Sequence, residues 1–95
     1  MTRLAVKHLA TLSIAAAAAL GSLAAIAAPK CTTAPRSQWL PEATMKARLL
    51  KDGYVIRQFK VSGQCYEIYG KDAQGNNVEI YFDPTDGRIV KRRGN

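Results

Sequence analysis

A chain of 95 residues with 14 basic and 7 acidic side chains, a net charge of +7 and two cysteines has room for one small domain. Its single histidine, His8, falls in the leading segment, so the remainder has no imidazole for general base work or metal binding near neutral pH. A Ser-His-Asp or Cys-His arrangement is thereby excluded from the domain, and the lack of C-x-x-C speaks against a redox-active pair.

The chain opens with a positive region of Arg3, Lys7 and His8, followed by the alanine-rich apolar run Leu9 to Ala19. Ala25-Ile26-Ala27 then places small residues where a signal peptidase needs them, so residues 1–27 read as a secretory signal peptide. The competing reading is a transmembrane anchor, since Leu9 to Ala28 approaches spanning length. Alanine is only weakly apolar, however, and the run ends in an A-x-A site. Cys31 follows Ala28-Pro29-Lys30 rather than a lipobox. Cleavage near Ala27 would deliver the rest to the periplasm or the exterior, and the loss of Arg3 and Lys7 lowers the net charge from +7 to +5.

A remainder of roughly 70 residues buries only about 60% of its unfolded surface, which makes it marginal on core burial alone. Small exported domains often add a disulfide. Cys31 and Cys65 are the only candidates, and a bridge between them closes a loop worth about 4 kcal/mol in the chain-entropy model. The alternative is two separate buried thiols.

Residues 28–37 carry Pro, Thr and Lys without a period and read as an extended N-terminal arm. The spacing that follows predicts a helix over 41–52. Pro41 suits the first helical position, Glu42 the first turn, and Lys46, Arg48 and Lys51 the later turns, where positive charge complements the dipole. Gly53 is a natural left-handed stop. Met45 and Leu49 form the inner stripe. Trp39, just before the helix, is either a core anchor or an exposed recognition residue.

Three alternating runs follow. Tyr54 to Val61 is the first strand, with a mixed pattern: Val55, Phe59 and Val61 share one face with Arg57, and Tyr54, Ile56, Gln58 and Lys60 the other. Ser62-Gly63-Gln64 is a hairpin loop. Cys65 to Lys71 is the second strand and Asp72 to Asn76 a polar turn. Asn77 to Asp83 is the third strand, with Val78, Ile80 and Phe82 in clean alternation. Asp83-Pro84-Thr85-Asp86-Gly87 is a turn, Arg88-Ile89-Val90 a short last strand, and Lys91-Arg92-Arg93 a basic tail, so that 38–91 is the domain and 92–95 lies outside it. The fold class expected is α+β: one helix packed on a three- to four-stranded antiparallel β-meander.

Over Ser37 to Val90 this pattern resembles a small exported PepSY-domain protein. The matching features are Trp39 before the helix, Leu49 followed by Gly53-Tyr54, and Cys65-Tyr66-Glu67-Ile68-Tyr69 on the second strand, then the turn Asp72 to Gly75 and the ending Asp83-Pro84-Thr85-Asp86-Gly87-Arg88-Ile89-Val90. The resemblance implies a helix on a curved antiparallel sheet, export, and a non-enzymatic binding or inhibitory role, as in propeptides that restrain secreted peptidases. It implies no particular target.

The residues themselves suggest little chemistry. Glu67 and Glu79 lie on strands expected to be neighbours and make the only candidate carboxylate pair. The simpler reading is two solvated strand residues paired with Arg57 or Lys60. Asp72, Asp83 and Asp86 lack calcium-loop spacing and read as turn formers. No cofactor or metal is expected. The basic charge is either a solvated face or an attractor for an acidic protein partner or an anionic membrane surface. Nucleic acid is disfavoured by export and by the lack of interleaved stacking aromatics. The candidate partner surface is Trp39, Tyr54, Tyr66, Tyr69 and Tyr81 with Lys91, Arg92 and Arg93. The function expected is an exported, non-enzymatic binding or regulatory module that restrains or assists a protein of the cell envelope, such as a peptidase. The alternatives are an accessory subunit of a membrane redox or transport protein, and a weak enzyme or ligand-binding protein using Glu67 and Glu79.

Overall fold

The computed structural model describes residues 27–94. The segment read as a signal peptide lies outside them except for Ala27. A short 3-10 turn, Arg36–Gln38, precedes helix α1, Glu42–Lys51, and four strands follow: β1, Val55–Ser62; β2, Cys65–Lys71; β3, Asn77–Phe82; β4, Ile89–Gly94. They form one sheet in the order β1-β2-β3-β4, with each neighbouring pair antiparallel. This is the α+β meander expected, in its four-stranded form.

Local chemistry sets the helix ends. Pro41 stands one residue outside the helix rather than at its first position; having no N–H, it leaves no donor unpaired there, and its carbonyl accepts from the Met45 amide at 3.0 Å. The Leu40 amide donates to the Pro84 carbonyl at 2.8 Å, which ties the approach to the helix to the β3–β4 turn. At the other end Gly53 takes φ 95°, its amide donates to Leu50 O, and the Tyr54 amide donates to Leu49 O. That pair of bonds is a Schellman stop, and the left-handed residue in it favours glycine.

The helix side of the sheet holds the main core. Met45 and Leu49 from α1 pack with Trp39, Tyr66, Ile68, Val78, Ile80 and Phe82. Each large apolar side chain closed off in this way is worth about 1.5–3 kcal/mol.

Both edge strands carry an irregularity, and each explains a place where the pattern misled. In β1 the register shifts between Ile56, opposite Gly70, and Gln58, opposite Tyr69, so Arg57 is bulged out. One extra residue flips every side chain beyond it. Ile56, Phe59 and Val61 therefore lie against the core, whereas Val55, expected on their face, is exposed. In β4 the shift falls between Ile89, opposite Phe82, and Lys91, opposite Tyr81, which leaves Val90 as the extra residue. Beyond that bulge the strand runs on to Gly94. Lys91, Arg92 and Arg93 are thus strand residues opposite Tyr81, Ile80 and Glu79, and the basic tail expected at 92–95 is part of the sheet through Gly94. The run of three basic residues hid a strand in which Arg92 and Arg93 pair with Asp72 and Glu79.

Candidate functional site

The sheet face away from the helix carries the polar residues of β2 and β3. In the β1–β2–β3 register Lys60 stands opposite Glu67, Glu67 opposite Tyr81, and Tyr69 opposite Glu79. The N-terminal arm crosses this face. Cys31 is bonded to Cys65 with Cα atoms 5.1 Å apart, as the pairing of the two cysteines predicts. Cys31, Cys65 and Tyr81 form a second small core with Ala28 packed against it.

Glu67 lies in this covered zone and is only 1% exposed. The expectation of a solvated strand residue fails for it, because the covered zone takes in this face as well. Its nearest cation is the Lys60 ammonium, 3.9 Å from Oε1, and its Oε2 is buried without a hydrogen-bond partner. An ionised carboxylate is costly in such a place. Burial first, and then the neighbouring Glu79 carboxyl, hold the Glu67 proton on to higher pH than usual.

Glu79 is shifted in the opposite direction. Its carboxyl is shifted below the usual range, chiefly by the hydrogen bond with Glu67 and further by Tyr69, Tyr81 and Arg93. The Tyr81 hydroxyl donates to its Oε2 at 3.1 Å, and Arg93 stands 3.6 Å from its Oε1. The two phenols beside the pair lose their protons less readily. Tyr69 is pushed up to about 12 by the neighbouring Glu67 and Glu79 carboxyls. Tyr81 is raised too, first by burial and then by Glu79. The arrangement sets two carboxyls with opposite shifts beside the Tyr69 and Tyr81 phenols. A cleft of about 300 Å³ lies beside it, walled by Asn77, Val78, Glu79, Arg93 and Gly94. Among the described residues no group of three or more His, Cys, Asp or Glu is placed to hold a metal ion.

The residues proposed as a partner surface do not come together. Trp39 is buried and donates from Nε1 to Ala34 O at 3.1 Å; its ring meets Tyr66 edge-on with centroids 5.4 Å apart. Tyr66 is buried and donates to Leu40 O at 2.6 Å, and Tyr81 is buried on Glu79. These aromatics have polar handles that found internal partners, the usual condition for burying them. Tyr54 is half-buried at the start of β1, and Tyr69, 37% exposed, is the one tyrosine of the set that faces solvent. Of the three basic residues, Arg92 is bonded to Asp72 and Arg93 to Glu79.

Residues that the sequence did not single out form the more open surface. The charges on the β3–β4 side neutralise one another through Asp72–Arg92, Glu79–Arg93, and Arg88 with Asp83 and Asp86. Around α1 and β1 the balance differs. Among the described residues no carboxylate stands within ion-pair distance of Lys46, Lys51 or Arg57. Lys46 lies over the Phe59 ring at 5.1 Å. The inward side chains of β1, Ile56, Phe59 and Val61, are only partly covered, whereas Ile68 and Ile80 on the inner strands are closed completely. Among the described residues the outer edge of β1 pairs with nothing. The signal available in the sequence was the broken alternation at Arg57, which marks a bulged edge.

The family model described as the peptidase propeptide and YPEB domain matches residues 11–93, a wider span than the resemblance over Ser37 to Val90. The chain belongs to the PepSY family. No curated protein and no solved structure matches it. PepSY domains are propeptide- and inhibitor-like modules, typically extracellular, and the Cys31–Cys65 bridge suits that setting. Among the described residues no helix is long and apolar enough to cross a membrane.

Proposed function

We propose that this PepSY protein is an exported regulatory module that acts by contact, holding or restraining a protein of the cell envelope, and that it turns over no substrate itself. The observation that carries the reading is the open β1 side: an unpaired strand edge, a partly covered apolar strip and unpaired cations in one place. The family's propeptide-like character supports it and makes a secreted peptidase the first partner to try. In this reading residues 1–27 direct export and are removed, which the mass of the protein recovered from the envelope tests directly. The alternative use of Glu67 and Glu79 for ligand binding or catalysis loses support from the burial of Glu67.

The test is site-specific crosslinking in cells, with a photoreactive residue placed in turn at Leu50, Arg57, Tyr69 and Ile89, all exposed. A discrete adduct with one envelope protein, whose activity falls when purified protein is added back, is the expected outcome. Adducts from none of the four positions, or substrate turnover by the purified protein alone, sinks the reading.

A further inference from the structure

The β1 edge has features that specify a partner's chemistry as well as its presence. Past the bulged Arg57 the strand is regular from Gln58 to Ser62, in register with Tyr69 to Cys65. Such an edge offers a row of main-chain donors and acceptors to an extended segment. An added strand has two faces. On the helix side it would lie beside Phe59 and Val61, which remain partly open. On the other side it would lie beside Gln58 and Lys60, the latter 3.9 Å from Glu67 Oε1, with Arg57 turned out at the bulge. Lys46 stands above on α1, over the Phe59 ring. On the opposite edge, Arg92 and Arg93 of β4 are already occupied by Asp72 and Glu79, which leaves Lys91 as its one cation without an ion pair among the described residues.

We infer that the Arg57–Ser62 edge takes up an extended acidic segment of a partner protein as an added strand, with apolar side chains of that segment on the helix side alternating with carboxylates on the side of Lys60. The inference rests on the contact reading above and names its surface and its partner's chemistry. Main-chain bonds set the register; the alternation follows from the pleat. The charge on the rim selects acidic over basic segments and makes the association fall with salt.

The experiment is amide NMR of purified, oxidised protein titrated with a short synthetic peptide alternating Val and Glu. Controls are the same peptide with alternate amides N-methylated and a peptide alternating Val and Lys. The expected result is shifts and slowed hydrogen exchange confined to Gln58–Ser62, lost with the N-methylated and basic peptides and weakened by salt. Arg57→Glu, with its other resonances unmoved, should weaken the Val–Glu peptide roughly tenfold, the scale of one lost close charge contact. Equal binding of the basic peptide, or shifts that map to β4 or to the outer face of the helix, overturns the inference. So does a β1 edge already protected without peptide in a dimer, or saturable binding of anionic phosphatidylglycerol vesicles through Arg57 and Lys60 in place of the peptide. Crosslinks in cells from Tyr69 or Ile89 alone would leave the contact reading standing and remove this edge; no crosslink from any position removes both.

Discussion

Gly70 on β2 lies so close to the backbone of β1 that a Cβ placed on it would overlap the Val55 carbonyl oxygen and press on Ile56 Cα, 3.2 Å away. The two strands come together there because the bulge at Arg57 turns the β1 backbone inward opposite a residue with no side chain. Backbone atoms cannot swing aside as a side chain can. Gly70→Ala should therefore cost more than a routine overpacking substitution of about 1–3 kcal/mol. Urea unfolding should show a large loss of stability, and the NMR shifts that move most should be those of Val55 to Gln58. A variant as stable as the parent would mean that β1 does not approach Gly70 in this way.

Glu67 gives stability a pH dependence of definite sign. Its carboxyl holds its proton more tightly in the fold than in the unfolded chain, where it titrates near 4.5. Its contribution is whole below that value and is lost as pH rises through the higher folded value. Glu79 runs the other way: its contribution is present above 4.5 and is lost as pH falls through its lower folded value. Glu67→Gln imitates the protonated acid, with an amide that donates to Glu79. The thermal midpoint of this variant, measured against the parent, should gain as pH rises above 4.5 and level off once the folded carboxyl has lost its proton. A difference that stays constant across that range would show that Glu67 titrates as an ordinary surface acid.

Asp72 governs the acid side. Arg92, the Asn76 amide and the Gln74 amide converge on its carboxylate, and its pKa is lowered from 3.8 to about 2. Its stabilising effect is present above 3.8 and is lost as pH falls toward about 2. Asp72→Asn should melt below the parent at neutral pH and converge with it at the acid end of that range. Arg92→Ala should narrow the same gap by removing the largest single cause of the shift. Parallel melting curves for parent and Asp72→Asn across the acid range would contradict this.

Paired Cys31→Ser and Cys65→Ser substitutions should lower stability by about 2–5 kcal/mol, the usual cost of losing a native bridge in a small domain. The loss should be accompanied by faster exchange at Tyr81 and Glu67, since the arm that crosses their face is then held without a covalent tie, by packing around Ala28 and by Gln64 and Trp39 donating to the Thr32 and Ala34 carbonyls. Unchanged protection of those two residues in the double variant would mean that the arm docks without its bond.

A helix truncation separates core from surface. Met45→Ala removes a side chain that is 1% exposed and should cost about 2–5 kcal/mol, whereas Leu50→Ala, on the open side of the same helix, should stay within about 0.5 kcal/mol in urea unfolding. Equal costs would move the helix face.

The helix, its two stops and the inner strands were legible because each is written locally: Pro41, the Met45 and Leu49 stripe, Gly53, and the alternation of Val78, Ile80 and Phe82. The faces of β1 were not, because a bulge depends on what lies across the sheet, and Gly70 is thirteen positions beyond Arg57. Lys91 to Arg93 looked like a tail because Asp72 and Glu79, the acidic partners of Arg92 and Arg93, meet them only after the chain has turned back. The tyrosines looked like a recognition set for a similar reason: the carbonyl of Leu40 and the carboxylate of Glu79 that satisfy Tyr66 and Tyr81 cannot be assigned from composition. Glu67 was visible as one of a pair, but not as a buried acid, since the arm that crosses the same face has no period to place it there.

The bond between Cys31 and Cys65 also reroutes mechanical load. A pull on the chain N-terminal to Cys31 passes through sulfur directly into the first residue of β2, an inner strand, and from there along β3 and β4. The intervening turn, α1 and β1 are shunted out of the line of tension. A tethered copy under strain would keep its helix and its open edge relaxed, and only reduction would put them in series with the rest.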